Sequence, residues 1–161
     1  YAVSVLSGHE GGANQLAYSA AAAIDAEPVI TTGTEVHKRF IIGIGCRKGV
    51  SKLKIKKAID FVLKANKIKR TQVRLVATAA LKKDEQGLIQ ACLDLQLPLV
   101  FISTEQIKRF KADISVSEIV KRHIGVEGVC EPCALIAGRR TKLLWPKQII
   151  DSVTAALAME N

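Results

Sequence analysis

Aromatic side chains are scarce in this chain, with one Trp, two Tyr and four Phe among 161 residues. Proteins that hold single-stranded nucleic acid stack its bases on aromatic platforms, so the shortage weighs against nucleic acid as a partner. Acidic residues are also few. Asp and Glu number 15 against 24 Lys and Arg, a net charge of 24 − 15 = +9. Such an excess attracts polyanions, and a small polycarboxylate or a nucleotide suits it as well as a polymer does; a plain solvated basic face accounts for it equally. No apolar run approaches the roughly 20 residues that span a bilayer. No basic segment precedes an apolar stretch at the start, as a signal peptide would require, so no membrane partner and a cytoplasmic location are expected. Four cysteines, Cys46, Cys92, Cys130 and Cys133, are too few and too scattered for a secreted disulfide framework. The chain opens on Tyr1 and runs at once into Ala2–Leu6, an abrupt start that suggests native sequence upstream.

What is present is a core-forming composition. Apolar residues make up 48%, supplied mainly by Ala, Val, Ile and Leu. Apolar runs alternate with amphipathic stretches. Strands are expected at 2–6, 28–31, 40–44, 73–78 and 98–101, with closing strands at Leu143–Leu144 and 153–157. Helices are expected at 12–25, from Ser51 onward with Ile55, Ile59, Val62 and Leu63 inward, at 84–96 with Leu88, Ile89, Cys92 and Leu93 inward, after Ser103, at 117–123 behind a Ser115/Glu118 capping pair, and at 130–137. The polar stretch 33–39 marks a boundary. Strands separated by helices imply βαβ units, hence an α/β fold with a mostly parallel sheet and helices on both faces, a three-layer αβα arrangement. Ligands in such sheets bind beyond the C-terminal strand ends.

Four loops there carry chemistry-bearing residues. Ser7-Gly8-His9-Glu10-Gly11-Gly12-Ala13-Asn14 joins a strand to a helix. Its glycines let backbone approach a ligand, and His9 can move a proton near neutral pH. Gly43-Ile44-Gly45-Cys46-Arg47-Lys48-Gly49 repeats that logic with two cations. It distantly resembles a dinucleotide fingerprint, with an extra residue before the last glycine and no acidic partner at the end of the next strand. Lys82-Lys83-Asp84-Glu85 offers either a polar rim or ordinary helix-start charge. Cys130-Glu131-Pro132-Cys133 is a C-x-x-C pair with no second pair or nearby His pair to complete a zinc site, so no metal site is expected. Glu131, an acid at a helix start, is its more interesting member.

Taken together and in order, these motifs resemble the cobalt-precorrin-5A hydrolases of anaerobic cobalamin biosynthesis. Residues 6–17 with Pro28-Val29-Ile30-Thr31-Thr32 resemble the end of that family's N-terminal domain. Residues 43–49, Leu81–Glu85 with Gly87-Leu88, Gly125–Val129, Glu131 and Pro146-Lys147 resemble its C-terminal domain. The resemblance implies a remnant of the N-terminal domain at 1–38 and the C-terminal α/β domain at 39–161. It implies a hydrolase acting on a carbon–carbon bond, which opens the lactone of cobalt-precorrin-5A with water and expels acetaldehyde to give cobalt-precorrin-5B. Such a reaction needs water activation and oxyanion stabilisation. His9 and then Glu131 are the expected acid/base groups. Gly8, Glu10, Gly11, Gly12, Asn14, Gly45, Cys46, Arg47, Lys82, Asp84, Glu85 and Lys147 are the expected substrate contacts. No cofactor is expected, since the cobalt belongs to the substrate. The expected partner is the anionic cobalt-corrinoid intermediate, with further copies of the chain or other pathway enzymes beside it. Competing readings are a non-catalytic corrinoid-binding module of the same pathway, and a nucleotide-binding domain using residues 43–49.

Overall fold

The computed structural model describes residues 37–115 and 128–161. The strands expected at 2–6 and 28–31, and the helices expected at 12–25 and 117–123, lie outside these residues.

The described chain runs β1 (Phe40–Cys46), α1 (Lys52–Ala65), β2 (Val73–Ala79), α2 (Gln86–Leu95), β3 (Leu99–Ile102), α3 (Thr104–Ser115), α4 (Cys130–Ile136), β4 (Thr141–Ile150) and β5 (Val153–Glu160). One sheet takes the order β3-β2-β1-β5-β4. β1 pairs with β2, and β2 with β3, in parallel. β5 is antiparallel to both β1 and β4. Four strands therefore share one direction and β5 alone opposes it. The expected α/β fold and mostly parallel sheet are present, and the closing strands form a hairpin.

Alternation along β1 sends Ile42 and Ile44 to one face and Ile41 to the other. The first face packs against α1 and α2 through Ile55, Ile59, Val62, Leu88 and Cys92. The second packs against α3 and α4 through Ile107, Cys133 and Ala134. This is the expected three-layer arrangement. On α2 the inward set is Leu88, Ala91, Cys92 and Leu95, while Ile89 and Leu93 are half-buried at its margin.

The helix ends follow local chemistry. Ser51 Oγ accepts from the Lys54 N–H of α1. Asn66 closes that helix by donating to the Val62 carbonyl at 2.8 Å, and Lys67, at φ 55°, turns the chain away. The first turn of α1 is lysine-rich, against the helix dipole. Asp94 meets Lys52 at 3.0 Å and Lys56 at 3.4 Å, and Asp151 meets Lys54 at 3.3 Å. Ser103 and Gln106 form a reciprocal cap on α3: Ser103 Oγ accepts from Gln106 N at 3.1 Å, and Ser103 N donates to Gln106 Oε1 at 3.1 Å. Ser103→Ala is expected to cost about 1 kcal/mol, read as a lower urea midpoint at unchanged slope.

Two differences from the sequence reading bear on the site. β1 extends two residues past the expected 40–44, to Cys46, so Gly45 also lies within the strand and not in the turn. β4 is ten residues long, although Pro146 sits inside it. Proline is tolerated there because β4 is an edge strand. The register shifts from Trp145↔Leu157 to Gln148↔Ala155. Three steps on β4 thus answer two on β5, a β-bulge at Pro146-Lys147.

Candidate functional site

Beyond the C-terminal end of β1, residues Arg47–Val50 make a tight turn, with Val50 N donating to the Arg47 carbonyl. Gly49 sits at φ +77°, a backbone conformation that costs glycine little. Its N–H donates to Glu85 Oε2 at 2.9 Å. The chain after β2, through a 3-10 turn at Ala80–Lys82, is thereby pinned to the chain after β1. Gly87 completes the join: a Cβ there would lie 2.0 Å from the Val50 carbonyl oxygen. Between the two loops runs an open groove of about 610 Å³, lined by Lys48, Gly49, Lys82, Asp84 and Glu85 among others. Cys46 is half-buried at the head of this turn. Burial raises its thiol pKa, the Lys82 ammonium pulls it down, and the Glu85 carboxylate raises it. A thiol held protonated is a weak nucleophile.

On the α4 face of the same strand end stands a second group. Gly45 faces Thr154, whose Oγ1 donates to the Gly45 carbonyl at 3.2 Å. A Cβ at Gly45 would lie 2.5 Å from that hydroxyl and 3.3 Å from Val129 Cγ2. Glu131 lies in the first turn of α4 and is 1% exposed. Its Oε1 accepts the Lys147 N–H at 2.8 Å. The bulge takes that N–H out of the strand ladder, and the buried carboxylate supplies its acceptor. Burying a charge is costly unless it is hydrogen-bonded; this bond meets part of that need.

Of the expected contacts, Cys46, Lys82, Asp84 and Glu85 come together around the groove, with Arg47 exposed in the turn beside it. Gly45, Glu131 and Lys147 gather on the α4 face. Gly8, His9, Glu10, Gly11, Gly12 and Asn14 lie outside the described residues. Sequence reasoning missed Thr154, and it named Gly128 only within the motif Gly125–Val129, with no role of its own. Their contacts are with residues far along the chain, Gly45 for Thr154 and Lys147 for Gly128. Among the described residues, no three His, Cys, Asp or Glu side chains gather where a metal ion could be held. No helix among them is long and apolar enough to cross a membrane.

Cys92, Cys130 and Cys133 are buried and unpaired. Burial pushes Cys92 and Cys133 up to about 12. Cys130 is pushed up to about 11, chiefly by burial, with the Thr154 hydrogen bond and the Lys147 charge opposing. Each folded thiol thus holds its proton above the pH at which the unfolded thiol, near 9.0, releases it. Their contribution to stability is complete below about pH 9 and is lost as pH rises toward 11–12. Thermal midpoints are expected to fall between pH 9 and 11, and less steeply in Cys133→Ala than in the parent chain.

An α/β domain that pins two strand-end loops around an open groove, lined by Lys48 and Lys82 as well as Asp84 and Glu85, has that groove at the sheet edge where open α/β sheets generally take ligands. Comparison with known proteins makes the class specific. Residues 40–158 match the family model described as Cobalamin synthesis G C-terminus, and residues 1–35 match Cobalamin synthesis G N-terminal. The chain belongs to the cobalamin-synthesis G family. It is 32% identical over 133 residues to a probable cobalt-precorrin-5A hydrolase of Methanocaldococcus jannaschii, covering 76% of this chain and 41% of that protein. The chain thus spans about two fifths of that relative's length. Among solved structures, the cobalamin biosynthesis protein chiG from Agrobacterium tumefaciens superposes with a TM-score of 0.66 at 33% identity, covering 76% of this chain and 98% of that one. CobE, a protein from the cobalamin (vitamin B12) biosynthetic pathway, superposes at 0.62 with 28% identity, covering 76% and 90% respectively.

Proposed function

We propose that this chain serves the hydrolysis of the lactone of cobalt-precorrin-5A, giving cobalt-precorrin-5B and acetaldehyde. The observation that carries the reading is the groove in which Glu85 ties the loop after β1 to the loop after β2, with Lys48 and Lys82 on its walls. A corrinoid intermediate is a wide ring fringed with carboxylates. Lys48, Lys82 and the exposed Arg47 beside them are counter-charges for that fringe. Gly87 lets the loop after β2 close onto the Val50 carbonyl, which holds the two walls of the groove together. The similarity to a protein named as a cobalt-precorrin-5A hydrolase supports the same substrate.

Hydrolysis requires a group that takes a proton from water. Glu131 is buried and its carboxylate is engaged by the Lys147 N–H, so its part is to hold structure. The water-activating role falls to His9 in the glycine-rich loop of residues 7–14. The cobalt is part of the substrate, and the chain needs no cofactor of its own. The protein works in the cytoplasm, beside the enzymes that make and consume the intermediate.

Titration of the purified chain with cobalt-precorrin-5A, followed by corrinoid absorbance at several salt concentrations, tests the reading. Binding that weakens steadily with salt is expected where a carboxylate fringe meets Lys48, Lys82 and the neighbouring Arg47. Binding indifferent to salt, or no binding at all, contradicts it.

A further inference from the structure

Lys147 is placed by three independent features. Its backbone sits in the bulge of β4. Its N–H is held by the Glu131 carboxylate at 2.8 Å. Its side chain runs across the face of Gly128, where a Cβ would lie 3.0 Å from Lys147 Cδ and 3.5 Å from Nζ. The direction of the side chain follows from α4. Cys130 lies over Gly43 and Val129 over Gly45, so Gly128 stands further toward the C-terminal end of β1. A lysine laid across Gly128 carries its ammonium to that end.

We infer that Glu131 and Gly128 are positioning residues that seat the Lys147 ammonium beside the end of β1, as a fixed cation for a carboxylate of the bound substrate. The inference rests on the proposed corrinoid substrate and adds a binding point on the α4 face, across β1 from the groove. A long lysine chain usually loses much rotamer freedom when it binds. Here the bulge, the buried acceptor and the missing Cβ have removed part of that freedom beforehand, which is how preorganisation raises affinity. Gly128 is the informative position. Its backbone lies outside the left-handed region, so alanine adds only one methyl, directed at the lysine stem. The charge stays in the protein and only its seat is disturbed.

The test compares the parent chain with Gly128→Ala, Lys147→Ala and the double variant, using cobalt-precorrin-5A as ligand. Each single variant is expected to bind about tenfold more weakly at an unchanged thermal midpoint. The double variant is expected to bind no worse than either single variant, because both remove the same contact. Unchanged affinity in Gly128→Ala, or losses that add in the double variant, overturn the inference. Competitive lysine acylation read by mass spectrometry tests the seat without any corrinoid. Lys147 should react more slowly than the exposed Lys57 in the parent chain, and severalfold faster in Gly128→Ala than in the parent. Equal labelling of Lys147 in both proteins overturns the seat. If the parent chain binds no corrinoid while the labelling contrast holds, the substrate reading fails and the geometry stands.

Discussion

Gly43→Ala is expected to destabilise the domain by about 3 kcal/mol or more, lowering the thermal midpoint on the order of 10 °C. β1 is the central strand, hydrogen-bonded to β2 on one side and β5 on the other. Gly43 lies at its middle, where α4 crosses. A Cβ there would lie 1.8 Å from the Cys130 carbonyl oxygen and 2.7 Å from its carbon. Both are backbone atoms, so no rotamer change relieves the overlap. Helix α4 would have to lift away from the sheet. That would open the packing of Cys133 and Ala134 against Ile41 and Leu75, and it would draw Glu131 away from the Lys147 N–H. A urea or thermal melt of Gly43→Ala checks this. Ala134→Gly in the same background is expected to restore little, because the obstruction is backbone.

Reversing both charges on the groove, Lys48→Glu with Lys82→Glu, is expected to weaken cobalt-precorrin-5A binding roughly 100-fold, about 3 kcal/mol. Lys48 is exposed and Lys82 half-buried, so each contributes modestly when merely removed. Reversal does more, because repulsion replaces attraction at two points of the substrate's rim. Thermal stability is expected to hold, since the structure shows neither lysine in a salt bridge among the described residues. Parallel calorimetric titrations of the parent and the double variant, at one fixed salt concentration, measure the difference.

The layers of the fold were legible because they rest on local signals. Ser51 and Ser103 announce the starts of α1 and α3 through short side chains that satisfy nearby N–H groups. The 3.6-residue recurrence of Ile55, Ile59 and Val62 announces a buried helix face. Within residues 43–49 the sequence places Gly43 in a strand and Gly45 with Gly49 in the turn that follows, and only Gly49 is in the turn. Gly43 and Gly45 are glycine because α4 and Thr154 lie against them, and those partners stand about 85 to 110 positions later in the sequence. Long-range close approach leaves no local pattern to read. The sequence reading puts only Leu143–Leu144 in a strand, while β4 runs from Thr141 to Ile150 through Pro146. Its bulge and edge position reconcile proline with pairing. Glu131 illustrates the same limit for the site. An acid at a helix start reads equally as a catalyst, a cap or an anchor, and only the distance to Lys147 N identifies the anchor. Glu85 lines the groove, and its bond to Gly49 joins two loops that the sequence separates by 36 positions.

The most direct measurement is acetaldehyde release from cobalt-precorrin-5A by the purified chain, run beside a His9→Ala variant. The account predicts stoichiometric acetaldehyde from the parent and a loss of at least about a hundredfold in rate from the variant, the scale on which a general acid/base contributes. Equal rates from both would remove His9 from the mechanism. Corrinoid binding with no acetaldehyde from the parent would contradict the hydrolase reading for this chain and leave a binding module of the same pathway in its place.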